Sequence, residues 1–107
     1  MSYDVWLEID TGGDEAAAID TGWNYTSNCS RMWRKAGADL AEFHGKVAGD
    51  VATTLRSAIA RMERNPDEYI SLNPENGWGS YDTVVPALRR LLHQFEEHPK
   101  ATVRVWR

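Results

Sequence analysis

The chain has 107 residues, enough for one modest core without metal or disulfide support, and we expect a single domain over residues 1–107. Its formal net charge of −4, with 26% charged and 42% hydrophobic residues, is that of an ordinary globule. It argues against nucleic acid or an acidic membrane surface as partner, because both call for a basic patch.

The one cysteine, Cys29, leaves no intrachain disulfide to form. The sequence begins without a basic and then apolar leader, and no apolar run approaches the ~18 residues of a membrane span. The expected setting is cytoplasmic. Five tryptophans in so short a chain are unusual.

Tyr3, Val5, Leu7 and Ile9 alternate with Asp4, Trp6 and Glu8, which is the period of a strand. Asp10-Thr11-Gly12-Gly13-Asp14 reads as the turn that ends it. The alanines that follow suit a short helix or a return strand. We favour a hairpin strand reaching Trp23–Thr26, with Thr21-Gly22 as a bulge or bend.

Ser30 reads as the N-cap of a helix over residues 31–36, and Gly37 as its stop. Asp39 and Glu42 have capping-box spacing for a further short turn closed by Gly45. Val47, Val51, Leu55, Ile59 and Met62 then mark one face of a long helix over about 47–64. Asn65-Pro66-Asp67-Glu68 ends that helix and opens a short one, with Asn65 as N-cap and Pro66 at its first position.

Residues 73–81, Asn-Pro-Glu-Asn-Gly-Trp-Gly-Ser-Tyr, form a loop rich in turn dipeptides around Trp78, and a solvated loop has no need of a tryptophan. We therefore expect Trp78 to pack. A last helix starts near residues 80–83 and runs to about Glu97, with Pro86 in its early turns and Pro99 beyond its end. Ala101, Val103 and Val105 alternate with Thr102, Arg104 and Trp106 as a final strand.

Asp4 and Glu8 on the first strand match Arg104 on the last, and Trp6 matches Trp106, so the two strands are expected to pair. The fold class is α+β: a small antiparallel or mixed sheet from the N-terminal strands and the C-terminal strand, with two main helices and shorter ones packed on one face. Trp6 and Trp106 then stand on the bare face and are expected to form a homo-oligomer interface.

Site chemistry is sparse. His93 and His98 are five apart, a poor metal spacing, and His44 has no ligand partner in sequence, so no metal or cofactor is expected. Cys29 precedes Arg31 among capping residues, a setting that can lower a thiol pKa, but we favour a small half-buried side chain, and Cys29 with His44 has nothing beyond residue type to make it a nucleophile pair. Lys46 beside Gly45 is a fragment of a phosphate loop without its remaining residues. The carboxylates all fit caps or helix surfaces. No enzyme is expected.

Two clusters remain: Trp23, Asn24, Tyr25 and Thr26 with Asn28, Trp33 and Arg34, and Asn76, Trp78, Ser80 and Tyr81. Read structurally, they are caps and core plugs. Read functionally, they form one pocket in which aromatic faces stack on a ring, amides read its edge, and Arg34 or Lys35 meets an anion. We expect the two segments to touch. The kit suits a nucleotide-like small molecule or a peptide.

Trp23-Asn24-Tyr25-Thr26-Ser27-Asn28, Phe43-His44-Gly45-Lys46-Val47 and Asn76-Gly77-Trp78-Gly79-Ser80-Tyr81 together resemble small uncharacterised proteins of bacteriophages and their bacterial hosts. The resemblance covers roughly residues 23–99 and departs at Val47, often Thr in those proteins, and at Arg31, often Pro. It implies a phage or prophage accessory protein in the host cytoplasm and brings no established activity. Two functions stay open: a non-enzymatic protein that binds a small ligand or a host protein, as in counter-defence, and an interaction module that forms a homo-oligomer without a ligand.

Overall fold

The computed structural model describes residues 2–9 and 17–107. Strand β1 (Ser2–Ile9) pairs antiparallel with both β2 (Ala17–Thr26) and β3 (Thr102–Trp106), giving the order β2-β1-β3. The expected pairing of first and last strands is present, with Val5 opposite Val105 and Leu7 opposite Val103. The turn expected over residues 10–14 lies outside the described residues.

The register between β1 and β2 shifts between Val5 and Leu7, which face Trp23 and Ile19 respectively. One β1 residue, Trp6, therefore faces three of β2, residues 20–22. This is the expected irregularity at Thr21-Gly22, and it restores face parity, because two extra residues preserve a period of two. Tyr3, Val5 and Leu7 are buried with Trp23 and Val103, whereas Ser2, Asp4, Trp6, Asn24 and Arg104 stay at least partly exposed. One sheet face is core and the other is open.

The helices α1 (Ser30–Lys35), α2 (Ala48–Arg64), α3 (Pro66–Ile70) and α4 (Tyr81–Glu97) cover the core face. Helix α1 stops at Gly37, whose φ of 101° places it in the left-handed region. Ala38 N–H then reaches Trp33 O, and Gly37 N–H reaches Arg34 O, the paired bonds of a Schellman ending.

Helix α2 buries Val51, Leu55, Ala58, Ile59 and Met62 against Val84, Leu88, Leu91 and Phe95 of α4. Arg56–Glu96 and Arg89–Glu63 ion pairs span the same two helices at the exposed rim, where such pairs contribute little.

Three local expectations differ from the structure. Ser30 opens α1 without a side-chain cap; instead Thr26 caps a 3₁₀ turn over Ser27–Cys29 by accepting from Asn28 N–H. Asn65 does not cap α3 but donates its amide back to Arg61 O, finishing α2. Val47, the first position of the expected apolar stripe, lies outside α2 and is 41% exposed. It forms a bridge with Thr102 instead.

That bridge belongs to a cover over the outer edge of β3. Gly45 N–H donates to Val103 O, Val103 N–H to Lys46 O, and Val105 N–H to His44 Nδ1. A little further on, Ala48 N–H reaches Ala101 O and Gly49 N–H reaches Pro99 O. Residues 44–49 thus satisfy an edge that would otherwise recruit another strand.

Gly49 is where this cover is tightest, since an added Cβ would meet Pro99 O at 2.9 Å. Elsewhere in a helix Gly→Ala stabilises by about 0.4–1 kcal/mol. Gly49→Ala should instead lower stability by about 1–3 kcal/mol through overpacking, read as a lower urea midpoint with an unchanged slope.

Candidate functional site

The loop between α3 and α4 is joined to the end of β2 by short, specific contacts. The Tyr25 hydroxyl lies 2.6 Å from Thr83 Oγ1, donates to Ser80 O at 3.4 Å, and receives Ser80 N–H at the same distance. Ser80 N–H also reaches Thr83 Oγ1 at 3.2 Å, so the N-terminus of α4 and the phenol share one polar knot. Burial raises the Tyr25 pKa, against which the Thr83 hydroxyl pulls down.

Gly79 lets this joint close. Its φ is +88°, and a Cβ there would sit 2.6 Å from Thr26 Cγ2, 2.9 Å from Cys29 Sγ and 3.1 Å from the Tyr25 hydroxyl. Only a residue without a side chain fits. Nearby, Asn73 Oδ1 accepts from Tyr81 N–H, and Asn76 Oδ1 accepts from Trp78 N–H, so the loop carries its own backbone satisfaction. The Trp23–Asn28 and Asn76–Tyr81 segments touch, as expected from their caps and aromatics.

Their contact frames an open cleft of about 620 Å³ lined by Ser2, Asn24, Thr26, Asn28, Asn76 and Trp78. Its floor is the bare sheet face, where Ser2 pairs with Thr26, and Asn24 with Asp4. Asn24 Nδ2 donates to Asp4 Oδ1 at 2.8 Å and reaches Ser2 Oγ and Tyr3 O, which fixes the amide and turns its oxygen away from those partners. Asn76, having committed its oxygen to Trp78 N–H, offers its NH₂.

Trp78 itself does not pack into the core. The residue is 70% exposed, the largest departure from the sequence expectation. Gly77 and Gly79 on either side give it no neighbouring side chains, and both hold positive φ.

The remaining predicted site residues divide by location. Trp23 and Trp33 are core residues, 5% and 0% exposed, and do not line the cleft; Trp23 Nε1–H donates to Ala87 O at 2.7 Å, and Trp33 packs edge-on against Tyr3. Tyr25 and Ser80 form the joint behind the cleft. Tyr81 is half-buried and donates its hydroxyl to Met62 O at 3.0 Å, tying α4 to α2. Arg34 is exposed on α1, donates to Ser30 Oγ, and does not line the cleft. Thr26, part of the first cluster, does line the cleft; sequence reasoning missed Ser2, whose outward parity on β1 was the available signal.

Cys29 is fully buried beneath Gly79, and burial raises its thiol pKa. Cys29 is thus a small packed side chain, as favoured from the sequence, and its sulfur contacts the Tyr25 hydroxyl at 3.8 Å. The histidines sit elsewhere: His44 on the β3 edge, His93 and His98 beside Glu97 at the end of α4. Among the described residues there is no group of three or more His, Cys, Asp or Glu placed to hold a metal ion, and no helix is long and apolar enough to cross a membrane.

No protein-family model matches the chain, and neither a curated protein nor a solved structure matches it.

Two measurements check this geometry. Gly79→Ala should cost roughly 2–4 kcal/mol, combining left-handed strain with the clash against Thr26 and Cys29. Gly77→Ala, with nothing within 4 Å of its added methyl, should cost only the strain, about 1–2 kcal/mol. Equal losses in paired denaturant melts would refute the joint at Gly79. Separately, Cys29 should resist an aromatic disulfide reagent at neutral pH and react stoichiometrically once the protein is unfolded.

Proposed function

We propose that the chain is a non-enzymatic binding protein whose ligand seats in the amide-lined cleft under Trp78. Trp78 is the observation that carries this reading. Leaving so large an indole wet forgoes about 1.5–3 kcal/mol of burial, and the two flanking glycines at positive φ add entropic cost. Core plugs and caps account for Trp23, Trp33, Ser80 and Asn73. They leave Trp78 unexplained, whereas a bound ring stacked on the indole accounts for it.

The cleft offers amides, hydroxyls and one aromatic face, a set suited to recognition and poor in proton-transfer chemistry. Its two walls are the segments that carry the resemblance to phage and prophage proteins. On that resemblance we place the protein as a phage-type accessory protein in the bacterial host cytoplasm. Sequestering a small host molecule, as in counter-defence, is one form of such a role, and capture of a host protein is another.

A second reading rests on Trp106, which is 69% exposed on the bare sheet face with Trp6 half-buried nearby. There the bare face joins two copies into a homo-oligomer and the cleft holds nothing.

Native mass spectrometry of protein purified from cells separates the readings. A binding protein should carry a non-covalent adduct that Trp78→Ala loses while its melting temperature stays within about 1–2 °C of the parent, as expected for an exposed position. Adduct-free protein whose dimer is abolished by Trp106→Ala would favour the interaction module.

A further inference from the structure

The cleft does not end at Asn24. A second depression of about 260 Å³ begins at the same residue and is lined by Asp4, Val5, Trp6, Gly22, Trp23 and Asn24. It opens at the β2 bulge, where Trp6 faces three residues of the partner strand. Gly22 adds no side chain there and has no atom within 4 Å of the position its Cβ would occupy. The two depressions meet at Asn24 on the bare sheet face, and an indole lines each: Trp78 the first, Trp6 the second.

The chemistry of this surface is neutral to acidic. Among the described residues, none that lines either depression carries a positive charge. Asp4 is the one ionisable lining group, and its carboxylate already accepts from Asn24 Nδ2. Trp6 is held in place by its Nε1–H bond to Glu8 Oε2 at 3.1 Å, while Glu8 also receives Arg104 Nε–H at 2.9 Å. Both bonds lower the Glu8 pKa, so the acid beside this surface is ionised at neutral pH.

Charge and shape together narrow the ligand. A single-stranded nucleic acid would also stack on exposed indoles, but it needs a positive groove for its phosphates. A nucleotide has the same need for a cation; Arg34 is not part of this surface, and Arg104, opposite Trp6 on the open face, is already paired with Glu8. A free base or nucleoside fills one stacking site and leaves the second unused. Amides, hydroxyls and a carboxylate set between two indoles suit a neutral chain of rings, each with an apolar C–H face and a rim of hydroxyls that both donate and accept. Resting on the cleft reading above, we infer that the ligand class is a neutral oligosaccharide spanning both depressions, with one sugar on Trp78, another at Trp6, and hydroxyls bound by Asn24, Asn28, Asn76 and Asp4.

The test is a titration of ¹⁵N-labelled protein followed through the indole N–H resonances, assigned with Trp78→Phe and Trp6→Phe. Probes are neutral gluco- and chito-oligosaccharides of one to four sugars, adenosine, and an uncharged extended hexapeptide. Saturable shifts at Trp78 and Trp6, with the core indole of Trp33 unmoved and at least tenfold tighter binding from one sugar to four, are expected. Trp78→Ala should weaken every saccharide at least tenfold. Trp6→Phe should weaken the tetrasaccharide while sparing the monosaccharide.

Adenosine moving Trp78 where no saccharide does would overturn the ligand class and leave the cleft standing. A hexapeptide moving β2 backbone amides alone would do the same in favour of strand addition. Indole shifts that follow dilution without any probe would assign the face to a second copy of the chain and overturn the proposal. Trp78 unmoved by every probe would sink both the oligosaccharide and the cleft.

Discussion

The insertion of β1 between β2 and β3 is the constraint from which the rest of the molecule follows. It brings the two ends of the described chain into one sheet, with Leu7 opposite both Ile19 and Val103. Everything between must leave β2, cross the core face as helices and return to the far side of β1. That route gives the sheet a single buried face and an open one. Hydrophobic burial then favours the parity that turns Tyr3, Val5 and Leu7 inward, because a one-residue slip would expose all three.

A three-stranded sheet has two edges, and the chain treats them differently. Residues 44–49 bond along β3 and occupy its free side, so this edge is closed by backbone rather than by charge. The β2 side carries the bulge instead, which bends the strand and opens the second depression above Gly22. The irregularity that spoils β2 as a pairing edge is also what makes room on the bare face.

The corner at Tyr25 and Gly79 links this sheet to the wall of the cleft. A phenol hydroxyl, a capping threonine and a glycine without a side chain hold the α3–α4 loop to the end of β2. The loop is consequently a fixed wall, and Trp78 projects from it beside Asn24, Asn28 and Asn76. The same packing silences Cys29, whose sulfur lies under Gly79 in surroundings that keep the thiol protonated.

By itself the sequence determined the elements and their faces. Period two over residues 3–9 and 101–106, period 3.6 along α2 and α4, and the stops at Gly37, Asn65 and Pro99 made the α+β class and the β1–β3 pairing legible. Matching charges at Glu8 and Arg104 pointed the same way, and those residues do bond. The contact between the two aromatic clusters could be read too, since each sat before a helix start with backbone punctuation that only packing justifies.

What only the tertiary structure decided was which tryptophans were structural. Trp23, Trp33 and Trp78 look alike in sequence, yet two are core and one is wet. Periodicity assigns a face only within a regular element, and hydrophobicity has no direction of its own. A loop residue such as Trp78 therefore has no face until the chain around it is placed. The cleft, too, is made of Ser2 and Thr26 from paired strands and of Asn76 from 50 residues further on, and no local pattern joins groups that meet only through the sheet register.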